Sequence, residues 1–325
     1  MKFILTALLT ALALHAADVN TFSIVAYDPT TGDCGVTVAS KYFSVGAVVP
    51  WGEAGVGCVA TQANVNVGYG PRGLELLRQG LSAKEVIDKL LAEDKFQPTT
   101  GRQVAVVDAK GNIAAYTGPN APNWAGDRQG KNCSAQGNIL VGAKVPEAMV
   151  KAFEATDGDL AEKLFAALKA GDDAGGDSRG KQSASMLVVG KGRGRNINND
   201  RLIYINVDDS PAPIPELRRL LDINQGWLYQ AWTGQLRSAG KTKEARDAAA
   251  KYAKYMPSAN AQLTLGLMDY DLGNKDAALV EMRKAIEMDA NFRNQFVGGN
   301  APAGGRGSRL KAVLEDKEFL EKLLK

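Results

Sequence analysis

The single histidine of this 325-residue chain is His15, inside an apolar N-terminal run. The side chain most often used as a base near neutral pH is therefore missing from the body of the protein. Serine–histidine and cysteine–histidine chemistry, and histidine metal sites, have no candidates there. The three cysteines, Cys34, Cys58 and Cys133, lack the CxxC spacing of structural zinc. The glycine-rich stretch 190–194, GKGRG, has neither the Walker spacing nor the dinucleotide pattern and reads as a solvated hairpin loop. No metal and no cofactor is expected.

A hydroxyl can still be activated when the base is the chain's own α-amino group, whose ordinary pKa near ~8 leaves a useful neutral fraction. That arrangement needs Thr, Ser or Cys at the mature N-terminus, held rigidly. Thr21 opens the strand-like run TFSIVAYD and is the candidate nucleophile, set against its reading as an ordinary β-branched strand residue. Lys41, ending the next strand-like run, is placed to lower the nucleophile's pKa or hold a substrate carboxylate, with Asp33 or Asp28 orienting it. Exposure at a strand end is the competing reading for Lys41. Gln62, Asn64 and Asn66 alternate along one face and offer amide donors to an oxyanion or peptide group, or else form a solvent-facing polar row. Gln136 and Asn138, flanking Gly137, join the candidate substrate-binding set. Arg179, in a loop at 171–181, is suited to bidentate capture of a carboxylate. For both of these stretches the competing reading is a surface loop holding turn geometry.

The elements that must position these residues are legible in the hydrophobic pattern. Runs 21–28 and 34–40 alternate in polarity around the turn formers at 29–33, which predicts a β-hairpin. Runs 45–50 and 55–61, separated by a turn at 51–54, extend it to four strands. Pro71 starts a helix through 79, and Ser82 with Glu85 makes a capping box for a second helix through 91. A second hairpin is expected at 104–108 and 113–117, then a polar loop around Trp124 and a strand near 133–136. Helices at 146–155 and 160–170 follow, then strands at 183–189 and 201–207 and a short helix ending near Leu221. This order suits an α+β domain of antiparallel sheets better than alternating βαβ units.

Past residue 222 the composition turns to helix formers with a 33-residue repeat: Gly240, Ala245 and Pro257 recur as Gly273, Ala278 and Ala290. The spacing resembles tetratricopeptide repeats, in which small residues let paired helices pack closely. Residues 300–308 read as a flexible joint and 310–324 as a closing helix. The repeats dock on the first domain or on a partner, and Tyr229, Trp232 and Tyr252 are candidates for a partner-facing surface or for repeat core.

Lys2, the apolar run 3–14 and the small pair Ala16-Ala17 have the layout of a secretory signal peptide, too short to span a bilayer comfortably. Residues 1–16 are expected to be removed, with cleavage after Ala13 as the alternative, giving a periplasmic or secreted protein. The formal charge of +3 falls by one with Lys2, too small to draw nucleic acid or anionic lipid, and no membrane span is expected. In an oxidising compartment one cysteine pair is expected to bridge; Cys34 with Cys58 is the choice on neighbouring strands, against buried unpaired thiols.

The stretches TFSIVAYD at 21–28, VASKYFSVGAVVPW at 38–51, AGVGCVATQA at 54–63, YGPRGLELL at 69–77, QGNIL at 136–140 and GGDSRGKQSA at 175–184 resemble the family known as domain of unknown function 1028. The resemblance spans residues 21–221. It implies a four-layer αββα sandwich of the N-terminal-nucleophile hydrolase type and suggests amide-bond hydrolysis; the expected substrate is a small peptide or amino-acid derivative. Cleavage after Ala16 would leave Ala17-Asp18-Val19-Asn20 ahead of Thr21. A second cut between Asn20 and Thr21 is therefore a requirement of that activity. The competing expectation is an inactive binding module that docks a protein partner through residues 223–325. Self-association is left open.

Overall fold

In the computed structural model the described residues are 21–96, 98–196, 198–297 and 307–325. The expected leader at 1–16, and most of the joint expected at 300–308, lie outside them. The first hairpin forms as its sequence predicts. Gly32, at φ 75°, takes a backbone conformation that strains other residues. Its N–H donates to the Asp28 carbonyl at 2.8 Å, and the Asp28 carboxylate accepts from the Thr30 N–H at 2.9 Å.

The strands are β1 (Thr21–Tyr27), β2 (Cys34–Ser40), β3 (Pro50–Glu53), β4 (Gly57–Ala63), β5 (Arg102–Asp108), β6 (Ile113–Thr117), β7 (Gly126–Gly130), β8 (Cys133–Asn138), β9 (Ser183–Val189) and β10 (Arg201–Val207). They form two antiparallel sheets, in the orders β10-β9-β2-β1-β8-β7 and β3-β4-β5-β6. Helices α1 (Tyr69–Arg78) and α2 (Ala83–Glu93) cover the smaller sheet; α3 (Lys144–Ala155), α4 (Leu160–Asp173) and α5 (Pro213–Ser238) cover the larger.

Side-chain alternation sorts the strand residues into three cores. Val25, Val36, Val38, Ala60, Val107 and Leu187 fill the space between the sheets. Phe22, Ile24 and Met186 face Met149, Leu164 and Leu217 of the helices on the larger sheet. Val59, Val104 and Val106 face Leu76, Val86 and Leu90 on the smaller. Cys34 and Cys58 are bonded, with Cα atoms 6.1 Å apart. They come from β2 and β4, so the expected pair lies across the two sheets and not on neighbouring strands of one sheet. Cys133 is buried and unbonded, and burial pushes its thiol pKa up to about 12.

Three local expectations are corrected. The run at 45–50 is a single 3-10 turn, Val45–Ala47, because Ser44 adopts φ 56° and the Ser183 hydroxyl accepts from the Val45 N–H at 3.1 Å; the strand runs Pro50–Glu53 instead. The loop after Trp124 contains an edge strand, β7, whose exposed polar residues carry no apolar signal. The short helix expected to end at Leu221 is α5, 26 residues long, so the junction expected at 221–223 falls inside a continuous helix.

The C-terminal part is helical: α6 (Thr242–Tyr255), α7 (Ala259–Asp271), α8 (Lys275–Met288), α9 (Asn291–Val297), α10 (Gly307–Glu315) and α11 (Lys317–Leu324). The end of α5 pairs with α6, and α7 with α8. The repeated small residues sit where these pairs touch. Ala245 and Ala278 are fully buried, and a Cβ on Gly266 would come 2.7 Å from Met282 Cγ.

This region packs on the first through polar contacts around aromatic rings. Arg193 donates to Asp33 at 2.6 Å and lies over the Trp232 ring, 5.1 Å from its centroid. The Tyr229 hydroxyl donates to Asp159 at 2.5 Å, and Tyr255 donates to Glu162 at 2.9 Å. Tyr229 and Tyr252 are buried and Trp232 packs against both cores. These rings therefore face inward and not toward a partner.

Candidate active site

At the Thr21 end of β1 the space between the sheets changes from apolar to polar. Thr21 and Ser23 share a face with Val25, and across the gap Gln62 and Gln103 share faces with Ala60 and Ala105, because strand side chains alternate with period two. The Thr21 Oγ1 lies 3.1 Å from Ser40 Oγ. Thr21 stands directly opposite Ser40 on β2 and Asn138 on β8. It is fully buried, as are Ser23, Gln103, Gln136 and Asn138.

The buried amides form one hydrogen-bonded network. Gln136 Nε2 donates to Ser23 Oγ at 2.7 Å, Ser23 Oγ donates to Gln62 Oε1 at 2.7 Å, and Gln62 Nε2 donates to Gln103 Oε1 at 2.7 Å. Asn138 Nδ2 donates to the same Gln103 oxygen at 3.2 Å. Gln103 Nε2 donates in turn to Thr117 Oγ1 at 2.9 Å and to the carbonyls of Gly137 at 2.9 Å and Gly126 at 3.2 Å. Packing is tight here: a Cβ on Gly137 would meet the Leu140 side chain and, at 2.9 Å, the Thr21 carbonyl oxygen. Ile139, the next residue after Asn138, holds φ 52°, an uncommon conformation for a β-branched residue. Its carbonyl accepts from Ser178 Oγ at 2.9 Å.

The loops at this end are joined by Asp177, whose carboxylate accepts from the Lys41 N–H at 2.9 Å and the Arg179 N–H at 2.8 Å. The Arg179 guanidinium lies 3.4 Å from the same carboxylate. Lys41 and Arg179 thus reach the Thr21 end of the sheet, with the Lys41 side chain exposed. On the smaller sheet Arg102 donates to Asp94 at 2.9 Å and to the Asn64 carbonyl, tying down the loop after β4. Burial opposes the charge of Asp94, but hydrogen bonds from Arg102, Tyr69 and the Phe96 N–H outweigh it and hold its pKa at about 2.

Four expected site residues stand apart from Thr21. Asp33 lies beyond the far end of β2, about 20 Å away at the usual strand rise. There it pairs with Arg193, and burial raises its pKa while Arg193 opposes the rise. Asp28 holds the same distant turn. Asn64 and Asn66 do not continue the face of Gln62, because β4 ends at Ala63, which takes φ 65°. Asn64 is exposed, and Asn66 Oδ1 accepts from the Gly68 N–H at 3.1 Å, a turn-forming contact. A cleft of about 480 Å³ also opens at the far end, lined by Tyr27, Asp28, Asn132, Phe153 and Lys163. Besides Tyr27, the hydroxyl-bearing residue in its lining is Thr30, exposed on the hairpin turn.

A family model described as a family of unknown function, DUF1028, matches residues 21–217. The chain belongs to the DUF1028 family. A crystal structure of the DUF1028 protein SPO2555 from Silicibacter pomeroyi is 33% identical, with a TM-score of 0.57 over 62% of this chain and 84% of that one. No curated protein matches the chain.

Within the DUF1028 region the sequence reading missed Ser23, Ser40 and Gln103. Each carried a usable signal. Gln103 is an uncharged polar residue in phase with Ala105 and Val107 in an otherwise apolar strand, and such a residue, if buried, must find partners. Ser23 and Ser40 are in phase with Thr21 across the hairpin.

Proposed function

We propose that this DUF1028 protein is an exported hydrolase of the N-terminal-nucleophile type, acting on an amide in a small peptide or amino-acid derivative. The observation that carries the reading is the placement of Thr21: a buried threonine opening the central part of the larger sheet, its hydroxyl between the sheets beside Ser40 and a fixed network of amides. The succession of helices, sheet, sheet and helices is the arrangement expected of a four-layer αββα sandwich of this type.

In the mechanism the Thr21 hydroxyl attacks the amide carbonyl while the α-amine takes its proton and returns it to the leaving nitrogen. The acyl-threonine ester is then hydrolysed by water with the same amine as base. Lys41 and Arg179 lie in the loops at this end of the sheet and suit a carboxylate-bearing substrate. The α-nitrogen of Thr21 is an amide in the uncut chain, so cleavage between Asn20 and Thr21 precedes activity.

Thr21→Ala in the processed protein is expected to abolish turnover in a screen of short peptides and N-acyl amino acids while preserving the circular-dichroism spectrum. Full turnover by that variant would end the reading. The helical region, tetratricopeptide-like in its repeat, serves here as a docked extension of the sandwich, because its aromatic residues pack on Arg193, Asp159 and Glu162.

A further inference from the structure

Asn138 carries an anomaly that the amide network explains. Its Oδ1 is buried and has no hydrogen-bond partner among the described residues, although an unmet buried acceptor is costly. Turning the amide over does not remove the problem. Gln103 Nε2 faces the carbonyls of Gly137 and Gly126, which can only accept, so Gln103 presents Oε1 to its other neighbours. Gln62 and Asn138 must both donate to that oxygen. The Asn138 oxygen is therefore fixed pointing away from Gln103, as an acceptor and not as the donor an oxyanion needs.

The donor that suits it is on the opposite strand. Thr21 stands directly across from Asn138, where side chains of paired residues come within about 5 Å. The direction of the Thr21 nitrogen follows from the ladder. Tyr27 N–H donates to Asn132 on the β8 side, and the Ser40 carbonyl accepts from Gln182 on its β9 side. Main-chain groups of alternate residues point to opposite neighbours, so the nitrogen of Thr21 points toward β8, where its ladder acceptor is the main-chain carbonyl of Asn138 and where the Asn138 side chain stands on the same face as that of Thr21.

We infer that Asn138 is the positioning residue for the nucleophile's amine: once the chain begins at Thr21, the α-nitrogen carries more than the one hydrogen that the ladder uses and donates a second hydrogen bond to Asn138 Oδ1. The contact leaves the nitrogen lone pair free to turn toward Thr21 Oγ1. It also couples maturation to the core, because cleavage supplies the donor that the network lacks. The inference rests on the reading of Thr21 as an N-terminal nucleophile.

The test uses the processed chain with 15N-labelled threonine, titrated by NMR. A hydrogen bond from the charged amine to Oδ1 raises the α-amine pKa by about one unit over Asn138→Ala, a shift that a purely structural asparagine would not produce. Equal pKa values in the two proteins overturn the assignment. Should Asn138→Ala fail to fold, a crystal structure of the processed native chain decides. The α-nitrogen within about 3.2 Å of Asn138 Oδ1 is expected, and an amine directed elsewhere with Oδ1 on a water overturns it. Either negative result leaves the nucleophile reading standing if Thr21→Ala still abolishes turnover, so the two claims fail separately.

Discussion

Gln103 is the residue on which the polar end of the interior depends. Its side chain accepts from two amides and donates to the Thr117 hydroxyl and two main-chain carbonyls, and it belongs to the smaller sheet while Gln136, Asn138 and Gly137 belong to the larger. Replacing it by leucine removes the acceptor of two buried amide donors, Gln62 Nε2 and Asn138 Nδ2, each a group whose desolvation costs about 1–3 kcal/mol. Gln103→Leu is expected to lower the free energy of unfolding by about 3 kcal/mol, read from urea denaturation, after relaxation of the neighbours. The equivalent change at Asn64, which is exposed, is expected to shift it by less than about 0.5 kcal/mol. Sequence alternation pointed to Gln62, which is buried, whereas Gln136 and Asn138, read as loop residues, lie buried in strand β8. It could not locate Asn64 and Asn66, because a left-handed Ala63 ends the strand, and alanine gives no warning of such a conformation.

At the level of elements the sheets are held at both ends by different means. The Thr21 end is joined by the amide network and the opposite end by the Cys34–Cys58 bond, which closes a sequence separation of 24 residues. A loop of that size restricts the unfolded chain by about 3.5 kcal/mol in the loop-entropy account. The double variant Cys34→Ser with Cys58→Ser is accordingly expected to lose about 3 kcal/mol of unfolding free energy, and added reductant to change the native protein but not the variant. β1 and β2 were readable from alternation around a turn, and β5 and β9 as short apolar runs, since one face of each meets helices and the other meets the second sheet. The polarity pattern missed β7, an edge strand of exposed polar residues, and misplaced β3, whose start is set by the long-range contact of Ser183 with Val45. The pairing of Cys34 and Cys58 was anticipated, but its position across two sheets depends on tertiary packing that spacing does not record.

For the whole molecule the important correction is α5. The change of composition at residue 222 is real, yet the helix runs through it, carrying Leu217 and Leu221 into the sandwich core and Leu228 onward to the same cluster. A chain ended at residue 222 loses Leu228 and the Trp232 contact with Arg193. Burial of those side chains is worth about 3 kcal/mol or more, so such a truncation is expected to melt roughly 10 °C lower than a chain ended at residue 256, which keeps α5 and α6. Equal melting temperatures would show that the helical region adds nothing to the sandwich. The measurement that bears most directly on function is the N-terminus itself. Intact mass and N-terminal sequencing of the protein recovered from an exporting host are predicted to give a chain beginning at Thr21. A stable, fully active protein that retains Ala17-Asp18-Val19-Asn20 would contradict the account, because its Thr21 would have no free amine to act as base.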